Sequence, residues 1–144
     1  MIHLSPAHLK QIEAEALHAY PAECCGLVVG HLGAGGTVTV TRLVASANVA
    51  QAPGNDRFEV DPQVRFDTLR ELAAGDEQIV GHYHSHPDHP AEPSQTDIAM
   101  AFEPELVWLI TAVTQGSPGN TQAWRLNRET SEVQSVSLSL TPEN

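Results

Sequence analysis

The sequence has very little positive charge. Lys10 is the only lysine, and seven basic residues stand against 18 acidic ones, which gives a formal net charge of −11. A nucleic-acid-binding protein needs clustered lysine and arginine side chains to displace counterions from phosphates, and an anionic membrane surface attracts the same clusters. The composition therefore predicts neither a nucleic-acid partner nor a membrane partner.

Long apolar runs and spaced cysteines are also missing. No segment approaches the roughly 20 apolar residues of a membrane-spanning helix. The N-terminus has neither the basic segment nor the apolar core of a secretory signal. The only cysteines are the adjacent Cys24 and Cys25, and neighbouring residues rarely meet the geometry of a disulfide. We therefore expect reduced thiols and a cytoplasmic protein.

The chain does contain enough apolar material for one core. It has 144 residues, of which 41% are hydrophobic, and a chain of this length buries roughly 68–70% of its unfolded surface. The sequence shows no internal repeat, no low-complexity tract and no linker. We predict a single domain over residues 1–144.

Helix-start signals occur three times. Ser5 and Pro6, a hydroxyl cap followed by proline, begin a first helix that Pro21 ends. Asp61-Pro62 repeats the signal for a second helix, and Ser94 opens a short third one. The apolar side chains expected in the second helix are Val64, Leu69 and Leu72.

Strands are predicted where apolar and β-branched residues lie between turn residues. The predicted strands are 25–29, 37–44, 57–60, 79–84, 106–113, 122–126 and 133–140. Residues 46–56 and the proline-rich residues 85–93 are predicted loops. Because strands and helices are interleaved and several strands are hairpin neighbours, the sequence predicts a mixed α/β sheet with helices packed on it.

Histidines alternate at positions 82, 84 and 86. Alternate side chains of a strand share one face about 6.6 Å apart, so two neighbouring imidazoles can reach one zinc ion through bonds of roughly 2.0–2.1 Å. Three can hardly do so, since His82 and His86 start roughly 13 Å apart. The pair is either His82 with His84 or His84 with His86. We favour the second, because Pro87 and the following loop place it at an open strand end.

A third ligand is available downstream in Ser94-Gln95-Thr96-Asp97. Asp97 lies one turn into the third helix, where its carboxylate could complete a three-ligand site with one open position, as catalytic zinc requires. A serine followed three residues later by an acid is also typical of a helix capping box. Each feature taken alone is weak evidence for a metal site.

The combined spacing is specific. His84-x-His86, seven residues, Ser94, two residues and Asp97 reproduce the H-x-H-x7-S-x2-D pattern of the JAMM (MPN-plus) metalloproteases. The segment PAECCGL, which contains Glu23, resembles the P-x-E-x-C-G-L segment of that family. The chain is therefore identified as resembling this family over most of its length. The resemblance implies an MPN-like α/β fold, a mixed and mostly antiparallel sheet flanked by helices, similar to the cytidine deaminase architecture.

The resemblance also implies a role for each residue. His84, His86 and Asp97 would hold Zn2+ with water in the fourth position, and the ion would lower the pKa of that water. Glu23 would take the proton of the water and return it to the leaving amine. Ser94 would donate a hydrogen bond to the oxyanion of the tetrahedral intermediate.

Small relatives of this type act on ubiquitin-like or sulfur-carrier proteins that end in Gly-Gly. The resemblance thus implies hydrolysis of an amide or isopeptide bond after that Gly-Gly, for example release of cysteine from a carrier adduct. The tail would pass the 85–93 loop into a groove beside strand 79–84. His89 is either solvated or part of a lid over the zinc, and His82 either lines the approach or packs.

Three alternatives remain at this point. The chain could be a non-catalytic MPN scaffold, but members of that class have lost metal ligands that are present here. A structural zinc site normally has four protein ligands, often cysteines. A nucleophilic Cys24 or Cys25 would need a positioned base and a lowered thiol pKa, and the local sequence supplies neither.

Overall fold

A computed structural model of the protein describes residues 1–50 and 57–141. The strands are β1 (Ile2–Leu4), β2 (Cys25–Leu32), β3 (Val38–Ser46), β4 (Gln78–Pro87), β5 (Val107–Thr114), β6 (Ser117–Asn127), β7 (Glu132–Val136) and β8 (Leu138–Leu140). The helices are α1 (Pro6–Ala19), α2 (Pro62–Leu72) and α3 (Gln95–Ala99), with a short 3-10 turn at Ala34–Gly36. Part of the predicted 46–56 loop, residues 51–56, lies outside the described residues.

The eight strands form one mixed sheet in the order β7-β6-β5-β4-β2-β3-β1-β8. The β2–β3, β2–β4, β5–β6 and β6–β7 pairs are antiparallel, whereas β4–β5, β1–β3 and β1–β8 are parallel. The predicted fold class, a mixed and mostly antiparallel sheet with flanking helices, is confirmed. Among the described residues, no helix has the length and apolar character needed to cross a membrane.

The two edge strands of the sheet approach each other at Ser137. β7 and β8 lie at opposite ends of the strand order, yet Ser137 alone separates them in the chain. The carbonyl of Ser137 accepts a 2.8 Å hydrogen bond from the Ile2 N–H of the neighbouring β1. The prediction of one strand over 133–140 was therefore wrong, because alternating residues do not reveal that their strand passes from one sheet edge to the other.

Both long helices begin at the predicted caps. The Ser5 hydroxyl accepts from the His8 N–H, and the Asp61 carboxylate accepts from the Gln63 N–H. α1 buries Ile12 and Ala16 against the sheet. In α2, however, Thr68 is the buried residue and Leu69 is 53% exposed. Leu69, one of the apolar side chains expected in this helix, therefore lies on its solvent side.

The predicted strand 57–60 is also wrong. This segment forms one isolated bridge, between Val60 and Asn48. On either side of Phe58, the Arg57 carbonyl and the Glu59 N–H bond to the side chain of Asn48 instead of to a strand. A side-chain amide thus takes the place of a strand partner.

Candidate metal centre

β4 carries the alternate histidines through the middle of the sheet, between β2 and β5. The strand continues past the predicted end at 84 as far as Pro87, because His86 and Pro87 still pair with β5. Its other face is turned towards α1, where the Tyr83 hydroxyl donates a 2.7 Å hydrogen bond to Glu15. One face of β4 therefore packs against α1, and the other face carries the histidine site.

His84 and His86 come together at their Nε2 atoms, which are 3.0 Å apart. The Asp97 carboxylate closes the group, with Oδ2 3.0 Å from His86 Nε2 and Oδ1 3.4 Å from His84 Nε2. All three residues are buried, His84 completely. The structure thus brings together the second of the two histidine pairs that the sequence allows, and places the predicted aspartate against it.

Glu23 lies two residues before the start of β2 and approaches the same point. One carboxylate oxygen and the ring nitrogens of His84 and His86 all lie within 4.8 Å of one another. The register explains this position, since Cys25 at the start of β2 pairs with His84. Glu23 is 3% exposed. Residues that are about 60 positions apart in the chain thus form one buried group of metal-ligating side chains.

Ser94 and Asp97 form the capping box of α3. The Ser94 hydroxyl accepts from the Asp97 N–H at 3.0 Å, and the Asp97 carboxylate accepts from the Ser94 N–H at 2.9 Å. The capping interpretation and the metal interpretation of this tetrapeptide are therefore compatible. The cap fixes the orientation of the carboxylate that contacts both imidazoles.

The donor set fits a metal cation. The His86 Nδ1–H donates to the Pro90 carbonyl at 3.0 Å, and a carbonyl can only accept, so Nε2 of the neutral ring carries the lone pair. That lone pair faces a carboxylate oxygen and a second ring nitrogen, a cluster of ligand atoms that suits a cation. Tetrahedral zinc ligands lie about 3.3 Å apart, close to the separations of 3.0 and 3.4 Å found here.

The pKa shifts of Asp97, His86 and His84 follow from their burial and their close contacts. Burial raises the pKa of Asp97, but the adjacent His84 and the hydrogen bonds from both imidazoles and from Ser94 outweigh it and hold it well below its usual range. Burial lowers the pKa of His86, but its bond to Asp97 reverses the shift. Burial lowers the pKa of His84. Because metal ligands must be deprotonated, protons and metal compete for these side chains.

The loop after β4 is held at three points. The Tyr20 hydroxyl donates to Asp88, His86 bonds to the Pro90 carbonyl, and the Trp124 indole donates to the Ala91 carbonyl at 3.0 Å. His89 is exposed on this loop. The expectation of a lid finds no support in this anchored segment.

His82 stands apart from the metal group. Its ring packs edge-on against Trp108 at 4.1 Å between centroids, with Phe58 at 5.5 Å. Burial lowers the pKa of His82 to about 3, so the ring is neutral. Of the two roles left open for His82, packing is the one that these contacts show.

Two aromatic residues of this site, Phe58 and Trp108, were missed by the sequence reasoning. Phe58 stacks on His84 with centroids 4.2 Å apart and planes inclined by 19°. Trp108 contacts the same ring edge-on, because His82 and Trp108 are register partners in β4 and β5. Neither residue belongs to a spacing motif, so no pattern could have placed them here.

Both cysteines are buried free thiols. Burial raises the pKa of Cys24 to about 11 and that of Cys25 to about 12. At pH 8 both thiols are therefore almost entirely protonated, and the thiolate is the reactive form. We expect iodoacetamide to leave the native protein unlabelled at pH 8 and to add two groups in 6 M guanidinium, as counted by mass spectrometry. Labelling of the native protein at the rate of an exposed thiol would contradict this assignment.

Comparison with known proteins now decides the family. Residues 5–127 match the family described as prokaryotic homologs of the JAB domain. This chain belongs to that family. Its relatives include the desampylase of Haloferax volcanii, 38% identical over 90 residues, and the CysO-cysteine peptidase of Mycobacterium bovis, 26% identical over 113 residues. The first alignment covers 62% of each chain, so this chain matches less than two thirds of the desampylase, and the second covers 78% of this chain and 74% of the peptidase.

Solved structures show the same JAB-type architecture. The solution structure of protein DSY2949 from Desulfitobacterium hafniense superimposes with a TM-score of 0.85 at 28% identity, covering 99% of this chain and 94% of the other. AF2198 from Archaeoglobus fulgidus, a JAB1/MPN domain protein, superimposes with a TM-score of 0.57 at 19% identity over 97% of both chains. The second likeness bears on the fold alone, and it confirms the MPN-like architecture.

Proposed function

We propose that this JAB domain is a zinc-dependent metallohydrolase that cleaves an amide or isopeptide bond after the C-terminal Gly-Gly of a ubiquitin-like or sulfur-carrier protein. The observation that carries the proposal is the buried group of His84, His86 and Glu23 with Asp97 against both imidazoles. The similarity to a desampylase and to a CysO-cysteine peptidase supports the substrate class.

His84, His86 and Asp97 are the residues that we propose as zinc ligands. Two neutral imidazoles and one carboxylate form a donor set that zinc prefers, and three protein ligands leave a position for water or substrate. When bound, the ion supplies Lewis acidity, which lowers the pKa of water and polarises a carbonyl.

Glu23 and Ser94 are the proposed catalytic residues. Glu23 accepts a proton from the attacking water and returns it to the leaving amine, a role that its position within 4.8 Å of both ring nitrogens allows. The Ser94 oxygen already accepts from the Asp97 N–H, so its own hydrogen can be donated to the oxygen of the scissile carbonyl. That bond strengthens as negative charge develops in the transition state.

The pairing of β4 limits the path that we propose for the substrate tail. β4 is hydrogen-bonded along both edges, to β2 and to β5, so the tail cannot lie beside this strand as a further strand. We propose that it instead crosses the face of the sheet that carries the histidines. A Gly-Gly terminus suits this path, because only a chain without side chains lies close to both backbone and metal.

The scaffold alternative is less well supported. A non-catalytic MPN module has no reason to keep a full donor set buried at one point, and burial of such groups is costly without a cation.

The two free, buried thiols support the further proposal that the protein works in the reducing cytoplasm.

One donor domain prepared in three forms tests this function. The forms are the intact domain with a cleavable adduct, the same domain with Gly-Gly changed to Ala-Ala, and its last six residues alone. We expect kcat/KM to be highest for the intact domain, because two methyl groups block the approach and the short peptide lacks remote binding energy. Adducts of cysteine and of a lysine side chain measure the preferred leaving group.

Equal kcat/KM across the three forms would reject the Gly-Gly specificity and point to a general peptidase. Absence of zinc-dependent hydrolysis with every form would favour the scaffold. The matched control is protein treated with a chelator and then reloaded with zinc, which must recover the activity of the untreated protein.

A further inference from the structure

The side-chain amide of Asn48 forms four hydrogen bonds. Its Nδ2 donates to the carbonyls of Glu23 and Arg57, both at 3.1 Å, and its Oδ1 accepts from the N–H groups of Ala50 at 3.1 Å and Glu59 at 3.0 Å. An asparagine amide offers two donors and one two-fold acceptor. All four bonds go to backbone, so Asn48 fixes the course of three separate chain segments.

Two of those segments lead directly to the metal centre. One contains Glu23, whose carboxylate faces His84 and His86. The other contains Phe58, and Asn48 binds the backbone immediately before and after it, at Arg57 and at Glu59. One amide therefore sets the distance between the backbone of Glu23 and the backbone that carries the Phe58 ring.

The Phe58 ring matters because of the environment of His84. Metal-ligating imidazoles normally donate their second N–H to a carboxylate or a carbonyl, which fixes the ring. His86 has such a partner in the Pro90 carbonyl. Nδ1 of His84 is buried and has no hydrogen-bond partner within residues 1–50 and 57–141. Its ring is instead stacked on Phe58, 4.2 Å away and nearly parallel.

We propose that Asn48 is a positioning residue that holds Glu23 and the Phe58 ring, and through that ring His84, in one arrangement. Asn48 itself touches neither substrate nor metal in this role. The inference rests on the proposed function for its catalytic part, but its effect on metal binding stands independently of any substrate.

Two metal measurements on the 144-residue protein, together with kcat for the donor adduct, test the role of Asn48. Zinc affinity is measured by competition with a chelator, and the visible spectrum of the Co2+-loaded protein reports the ligand geometry. Asn48→Asp keeps the size but places a carboxylate oxygen against two carbonyls, and Asn48→Ala removes the bonds without repulsion. We expect zinc affinity to fall roughly 10-fold in both, kcat to fall with little change in KM, and the Co2+ spectrum to shift.

The chain offers a matched control in Asn127. Its Oδ1 accepts from the N–H groups of Glu129 and Thr130 in a surface turn, so Asn127→Asp keeps those bonds and should match the wild type in both measurements. Phe58→Leu should weaken zinc binding as the Asn48 variants do. Phe58→Tyr keeps the ring that stacks on His84 and should bind zinc like the wild type. If Asn48 acts on the metal through Phe58, the double variant Asn48→Ala/Phe58→Leu binds zinc no more weakly than Phe58→Leu alone.

A folded Asn48→Ala protein with wild-type zinc affinity, Co2+ spectrum and kcat overturns the proposal. Additive losses of zinc affinity in the double variant overturn the route through Phe58. Failure of the proposed hydrolysis would look different, since the zinc and Co2+ measurements would still separate the Asn48 variants from Asn127→Asp. Thermal unfolding of every variant identifies any that is unfolded at the assay temperature.

Discussion

Glu23→Gln is expected to bind zinc like the wild type and to lose most of its turnover. The amide keeps the size and the buried position of the carboxylate, which is 3% exposed, but it cannot accept a proton. General acid–base catalysis typically contributes 10²–10⁴-fold, so kcat should fall by roughly that factor. The measurement is single-turnover hydrolysis of the intact donor adduct, together with the zinc content of the same protein preparation.

Glu15→Gln is the matched control. Glu15 is a half-buried carboxylate of α1 that accepts a hydrogen bond from Tyr83 on the opposite face of β4. We expect this variant to keep near-wild-type turnover, because it lies outside the group around His84 and His86. A Glu23→Gln protein that still hydrolyses the adduct at the wild-type rate would eliminate the general-base role.

Asp97→Ala is expected to lose stoichiometric zinc. Its carboxylate lies 3.0 and 3.4 Å from the two imidazoles, and its removal leaves the two proposed histidine ligands without their charged partner. Zinc at 100 times its Kd stabilises the native protein by about 2.7 kcal/mol, so added zinc should raise the Tm of the wild type and leave that of the variant unchanged. Elemental analysis after dialysis checks the stoichiometry directly.

The control for that variant is Asp76→Ala, since the Asp76 side chain is 92% exposed. His84→Ala should behave like Asp97→Ala, because it removes one of the two nitrogen ligands. One zinc per molecule retained by both His84→Ala and Asp97→Ala would show that the ligand assignment is wrong.

Together the two substitutions separate two possible ligand sets. One carboxylate oxygen of Glu23 lies within 4.8 Å of a ring nitrogen of each imidazole, so a set of His84, His86 and Glu23 is the alternative to test. If Glu23 is a ligand, Glu23→Gln loses zinc and Asp97→Ala retains it. The proposed set of His84, His86 and Asp97 predicts the opposite pattern. Glu23→Gln then retains zinc but loses turnover, and Asp97→Ala loses zinc.

Local patterns in the sequence determined where two helices begin, which histidines share a face and which family the chain resembles. The caps at Ser5 and Asp61 begin α1 and α2 as predicted, because a cap and a following proline act within one helical turn. The alternation of His84 and His86 determined that these side chains share a face, since the period of a strand is two residues. The fixed spacing to Ser94 and Asp97 pointed to the family.

Only the tertiary structure decided the rest. No local rule predicts that Ser137 joins the two edges of the sheet, or that Leu69 faces solvent while Thr68 is buried, because both depend on which elements pack together. The same holds for Asn48 and Phe58, which reach Glu23 and His84 across long stretches of chain. The sequence by itself pointed to the residues that we propose for the chemistry, whereas long-range pairing between β2 and β4 decided how they meet.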